Sequence, residues 1–596
     1  MKLHAAAIAF VFTIFLGAEA SAQQYKAIPL NAPELNPDDP KVRGGVTAAK
    51  MEVQEYLRRK PLDDAGKQLM TRFFMGAYFP SWTTPANRGN VDAKRQDFMR
   101  NFYGPLDTSM TSKKELNRLT LQAMTEMSKP DYHPVVRYNA MLLIGDLNSQ
   151  EFDVGSKAPV SPYHASLDVL LKTLEDPKSD DVVRVAAIVG ALRHARFARS
   201  TPKPAGEAMT RADIERLVKV TNQVITSEAA DGHSPDAHQW MQRRAMDIVR
   251  SLSPGLQDLL ASGSDQNFNN SIRQSLEGTA TSLAGMVENE QADKSLRVDA
   301  AMTLAALPKD DAIVKGFDAN LQVGLVAKLA SQAIDDDITW FSEQLKEMRM
   351  GGGGGGRYGG IDSGYGAMEP SYGGGYDEGM PGEEKKRSKK KEFVNTNPPL
   401  HSLQLTFRRR VKYDIDTLKT SLVGTGDVAD VRQLKNGLVR FVPTAEEQAA
   451  IAELARVMDE MITAADADPT ENPPGVPQGV KIDDFVAYDM FVKDMEDKHA
   501  KLERVATKLA ASVGVSDAEG DGAASAPSAD MPFGALPNAT APAANAPMRP
   551  AAPAANGSPA AAPPAAAVPS ADMPFGGVPG AAPADAAQPM QPAAQP

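Results

Sequence analysis

The residues best placed to do chemistry lie in one octapeptide, DGHSPDAH, which holds Asp231, His233, Asp236 and His238. Imidazole nitrogens mixed with carboxylate oxygens suit zinc. The same stretch also reads as a helix start. Ser234-Pro235 is a good N-cap and first-position pair, and Asp236 falls in the first turn, where the helix dipole favours negative charge. Helix-start chemistry covers most of these residues, so no metal and no other cofactor is expected. If a metal were bound, His233, Asp236 and His238 would be its ligands.

Other catalytic patterns do not close. The chain has no HExxH, no Walker-type loop, no GxSxG elbow and no Ser-x-x-Lys with its companion motifs. Asp466, Asp468 and Thr470 begin like a calcium loop, but Glu471 stands at the turn glycine and Pro477 at the bidentate glutamate. The glycines around 351 follow no strand and open no helix, so they are not a dinucleotide fingerprint. His133, His164 and His194 are scattered without evident triad partners. The absence of cysteine excludes a thiol nucleophile and a thiolate metal site. The expectation is a protein that is not an enzyme.

Two stretches suggest binding instead. Lys385, Lys386, Arg387, Lys389, Lys390 and Lys391, with tyrosines upstream, would suit a polyanion. The chain carries a net charge of −12, so solvated linker charge is the favoured reading. Nucleic acid is a disfavoured partner, and a cell-envelope polymer stays as an alternative. The phrase PSADMPFG occurs at 527–534 and again at 569–576. Met531, Pro532 and Phe533, repeated as Met573, Pro574 and Phe575, form a candidate two-copy docking motif whose avidity would exceed either copy's affinity. Duplication of low-complexity sequence explains the same pattern.

The elements that must carry these features are helices. In 167–194, Leu167, Leu170, Leu171 and Leu174 make one amphipathic face, and Asp176-Pro177 ends it. Val183, Ala187, Ile188, Ala191 and Leu192 then line a second helix, capped from Ser179, Asp180 or Asp181. One hairpin cannot bury both faces, so neighbours of the same kind are required. Four segments supply them: 135–147, 182–194, 240–252 and 295–307. Each has a polar residue (Arg137, Arg184, Gln242, Arg297), with alanine three positions later at Ala140, Ala187, Ala245 and Ala300. The intervals are 47, 58 and 55 residues.

Over roughly 110–346 this pattern resembles an array of HEAT repeats. The resemblance implies an α-solenoid, repeat-packing roles for Arg137, Arg184, Gln242 and Arg297, and an aspartate six residues before the arginine that helps form a ladder between repeats. Asp131 with Arg137 is the one pair that keeps both members. HEAT proteins are mostly scaffolds, so a protein partner is what the resemblance implies.

Around the array the chain divides by composition. Residues 1–22 read as a secretory signal, with Lys2, an apolar core Ala5–Leu16 and a small-x-small end at Ala20-Ser21-Ala22. That core is too short for an ordinary membrane span, and no later stretch could cross a bilayer. Export to a bacterial periplasm or exterior follows. Residues 23–109 form an N-terminal cap whose aromatics Phe73, Phe74, Tyr78, Phe79, Trp82, Phe98, Phe102 and Tyr103 fill a core, with an aromatic-lined pocket as the alternative. The array, 110–348, closes with a helical pair at Leu321–Ala333 and Ile338–Met348.

A Gly-rich and basic linker, 349–398, has an r.m.s. span of roughly 35–42 Å, enough for its two sides to move independently. A helical module, 399–515, carries the stripe Leu400, Leu403, Phe407, Val411, Ile415, Leu418 and Leu422, a capping box at Thr444 and Glu447, and a third helix to about Ala511. It makes a three-helix bundle or a coiled coil that self-associates through 400–511. The tail, 516–596, is Ala/Pro-rich and disordered. The expected class is all-α. The expected function is an exported, non-enzymatic interaction scaffold, with an envelope structural or polyanion-binding protein, or a metal-dependent enzyme near 231–238, as alternatives.

Overall fold

The computed structural model describes residues 25–58, 61–103, 111–152, 157, 159–199, 206–263, 265–350, 398–425, 437–471, 473–477, 480 and 482–515. Residues 1–22, read above as a secretory signal, the basic run at 385–391 and both PSADMPFG copies lie outside the described residues.

The described chain is all-α except for one ribbon, β1 (Asn148–Gln150) antiparallel to β2 (Ser161–Pro162). The N-terminal region comprises α1 (Arg43–Arg58), α2 (Asp64–Phe73), α3 (Phe79–Trp82) and α4 (Val91–Phe98), with π-helical turns at Phe74–Tyr78 and Met99–Tyr103. All eight aromatics named above are buried, and their rings pack edge-on or stacked within about 6 Å of one another. They fill a core.

Four helical hairpins follow. Their first helices are α5 (Thr111–Met127), α7 (His164–Glu175), α9 (Arg211–Thr226) and α11 (Gln266–Glu288). Their second helices are α6 (Pro134–Asp146), α8 (Asp181–Arg196), α10 (Pro235–Ser262) and α12 (Lys294–Ala306). Each second helix packs on the next, giving a solenoid-like stack. The four repeated segments all fall on second helices. The backbones of α6 and α8 come close together, since a Cβ on Gly145 would lie 2.7 Å from the Gly190 Cα. Two glycines let these backbones meet.

After α13 (Asp311–Val314), the expected closing pair is one helix, α14 (Ala319–Met350). The aspartates at 335–337 do not break it, because Asp337 is fully buried and ion-paired to Lys294 and Arg410. The chain resumes as α15 (Pro398–Val411), a π-helical turn (Lys412–Asp416), α16 (Thr417–Val423), α17 (Ala445–Asp466) and α18 (Asp484–Ser512). These helices do not stand apart from the array. α16 packs on α12 as the next member of the second-helix row, and α18 runs along α14. The fifth pair is therefore assembled from both sides of 351–397. The stripe from Leu400 to Leu422 is buried inside the chain, and Phe341 of α14 meets Phe407 at 4.8 Å and Phe491 at 5.8 Å.

Candidate partner-binding groove

The polar residue of each second helix has a local task. Arg137 Nε donates to Ser128 O at 3.2 Å, Gln242 Nε2 to Ile225 O at 3.1 Å, and Arg297 Nε to Val287 O at 3.2 Å. Each ties off carbonyls at the end of the preceding first helix, which have no partner within that helix. Arg137 also reaches forward, to the carboxylate of Asp180, the N-cap of α8. Asp131, the other residue of the expected ladder, lies exposed on the turn before α6. The ladder contact runs to the next repeat's cap. Arg184 differs: its Nε is buried without a partner, and burial pushes its pKa down.

The DGHSPDAH residues do not converge. His233 Nδ1 lies 2.6 Å from Asp181 Oδ1, and its Nε2 lies 3.2 Å from Pro177 O. His238 Nε2 turns away to Ser227 O at 2.8 Å. Ser234 caps α10 through Ala237 N, and Ser234 N donates to Asp181 Oδ2 at 2.8 Å. Desolvation opposes ionisation of Asp181, but the Ser234 amide and His233 outweigh it and lower its pKa. The stretch starts a helix and pins the second repeat to the third. Among the described residues no three His, Asp or Glu side chains form a metal-holding group.

A concave feature lies where the cap meets the first two hairpins. A groove of about 640 Å³ runs between the extended segment 26–29, the turn at Met75–Pro80, the outer face of α5, and Tyr132, Tyr163 and Val169. Its size is that of a ligand or peptide site. The extended wall is fixed by Lys26 N donating to Asp131 O at 2.8 Å and Ile28 N to Thr83 Oγ1 at 2.8 Å. Of the eight aromatics of the cap core, Phe79 alone lines the groove.

Three cations and one carboxylate line this groove: Lys26, Arg118, Lys129 and Glu126. Glu126 bonds Lys129, lies 3.1 Å from Lys26 Nζ, and accepts from Tyr132 OH at 3.2 Å. Lys129, then Lys26, holds the Glu126 carboxyl at about 2, so it is ionised at any working pH. Arg118 is paired with Glu115 at 2.6 Å and stays more than half exposed. The lining has a positive surplus on a chain of net charge −12. Sequence reading missed the groove because its residues come from distant segments. The one available signal was the helical recurrence of Arg118, Gln122 and Thr125 on one side of α5, continued by Lys129 in the turn that follows it.

A second charged cluster sits where the chain resumes. Lys294 Nζ is 3.0 Å from Asp414 Oδ2 and 3.3 Å from Asp337 Oδ1, and Arg410 Nε is 2.9 Å from Asp337 Oδ1. Burial, the largest cause, raises Asp414 to about 6, with Lys294 opposing and Asp337 adding to it. Arg243 bonds both Asp299 and the Tyr413 hydroxyl at 2.6 Å. Arg440 Nη2 donates to Ala305 O at 2.9 Å and to Leu307 O, tying off α12. Charge and hydrogen bonds latch the later helices to the array.

No helix among the described residues is long and apolar enough to cross a membrane. Compared with protein-family models, with curated proteins and with solved structures, the chain has no match.

Proposed function

We propose that this chain is an exported interaction scaffold of HEAT-like type, and that it recognises a protein partner on its folded surface. The observation that carries the reading is the groove between the cap and the first hairpins, apolar in its floor and cationic at its rim. The HEAT-like reading is supported by the recurring task of Arg137, Gln242 and Arg297, each bonding carbonyls at the end of its first helix. Export rests on the first 22 residues, a basic start, an apolar core and a small-x-small end.

Stacked helical pairs present broad surfaces because each unit contacts only its neighbours. On α8, Val182, Val185 and Val189 recur on the side left partly open, and Val135 holds the matching place on α6. Such an apolar strip suits contact with another protein. The test is affinity capture from the native exported fraction, comparing the whole chain with one ending at residue 515. Recovery of one partner by both, at equal yield, supports recognition on the folded surface. Loss of the partner with the tail transfers that role to the PSADMPFG copies.

A further inference from the structure

We propose that the groove receives an extended peptide segment with an apolar middle of about four residues and a carboxylate at each end. This rests on the scaffold reading and adds the chemistry of the partner.

Arg118 and Lys129 sit on one side of α5 and the turn that follows it, eleven residues apart and therefore about 16 Å along the axis. An extended strand rises about 3.3 Å per residue, so two residues five positions apart, with four between them, cover that distance. Between the two cations the floor is apolar: Leu121, Met75, Phe79 and Ile28. At the Lys129 end, Lys26 adds a second ammonium, and the two share the single carboxylate of Glu126. That end keeps an excess positive charge, and an incoming carboxylate would complete it. At the other end Arg118 gives Nε and Nη2 to Glu115 in a bidentate pair at 2.9 and 2.6 Å, and one Nη1 donor to Gln122 Oε1 at 3.4 Å. The planar fork has five donors, which leaves two for a further carboxylate. A neutral apolar peptide would leave this surplus unmatched, and a basic one would be repelled. Charge at the ends sets polarity and register, while apolar burial in the middle supplies affinity.

The test is fluorescence anisotropy on the full chain with a labelled hexapeptide, Glu-Leu-Val-Phe-Leu-Asp, against the same peptide with lysine at both ends. The acidic-ended peptide is expected to bind and the lysine-ended one to fail. Binding of the acidic peptide should weaken about tenfold or more in the Arg118→Glu/Lys129→Glu double variant, and should weaken with added salt. Both side chains are more than half exposed, so an unchanged thermal melt checks the variant's fold. Equal binding of the two peptides to the unaltered chain overturns the proposal without any variant. Displacement of the acidic peptide by dodecanoate at lower concentration than by unlabelled peptide also overturns it, in favour of an anionic amphiphile. Capture of the native partner by the double variant at full yield overturns the groove's role and leaves the scaffold reading standing.

Discussion

The ammonium of Lys294 lies 3.0 Å from the carboxylate of Asp414, although the whole glycine-rich stretch separates them in sequence. Lys294 opens α12, and Asp414 sits in the π-helical turn between α15 and α16. The same ammonium meets Asp337 of α14 at 3.3 Å. The fourth hairpin and two elements of the fifth helical pair are thus joined at one largely buried ammonium. The two carboxylates each keep one buried oxygen without a hydrogen-bond partner. Such a cluster fixes which surfaces meet more than it adds net stability.

Asp414 makes that junction sensitive to pH. Its folded pKa of about 6 is above the unfolded value near 4. A raised carboxyl pKa contributes stability that is complete at low pH and is lost as pH rises through 6. Unfolding free energy should carry a falling component between pH 4 and pH 7, worth about 3 kcal/mol at most. In Asp414→Asn that component should vanish from denaturant melts across the window. An unchanged pH slope would contradict the assignment.

Gly145 and Gly190 leave no room for side chains. A Cβ at either would meet the other's backbone at 2.7–2.9 Å, which no rotamer change relieves. Gly145→Ala should cost about 1–3 kcal/mol by forcing α6 and α8 apart. Gly285, with open space around its Cβ position, is the control: Gly285→Ala should be neutral or slightly stabilising in the same thermal melts.

The repeat arginines should respond unequally. Arg137→Met removes charged bonds to Ser128 O and Asp180 and should cost about 1.5–3 kcal/mol. Arg184→Met removes a buried cation whose Nε has no partner, so it should be neutral or stabilising. Equal losses in chemical denaturation would show that the two play one role.

His233 should behave as a junction residue. Chelator dialysis should leave the melting temperature unchanged, whereas His233→Ala should cost about 1–2 kcal/mol through the lost contacts to Asp181 and Pro177. Stabilisation by stoichiometric zinc that disappears in His233→Ala would instead restore the metal reading.

Local signals carried the helices well. The stripe from Leu400 to Leu422 and the Thr444–Glu447 cap depend on neighbours within a few turns, and both are present in the structure. What depended on remote partners was not legible. The expected pair Leu321–Ala333 and Ile338–Met348 is one helix, and the cations that neutralise Asp337 within it come from remote Lys294 and Arg410. Nothing local to Gly324 reveals that Val513 and Val515 press against it at under 3 Å from a Cβ position. The array therefore seemed to end at α14, when its next second helix lies beyond the linker. The groove was hidden for the same reason, being shared by the extended N-terminal segment, the cap and two hairpins.

Recognition on the folded surface is tested most directly by amine crosslinking in a native culture, cells and medium together, with the linked lysines identified by mass spectrometry. Lys26 and Lys129 both line the groove and are accessible to the reagent. The account predicts crosslinks from one partner at these two lysines, in equal yield for the whole chain and for a chain ending at residue 515. Partner crosslinks confined to Lys385–Lys391, or lost with the tail, would contradict it.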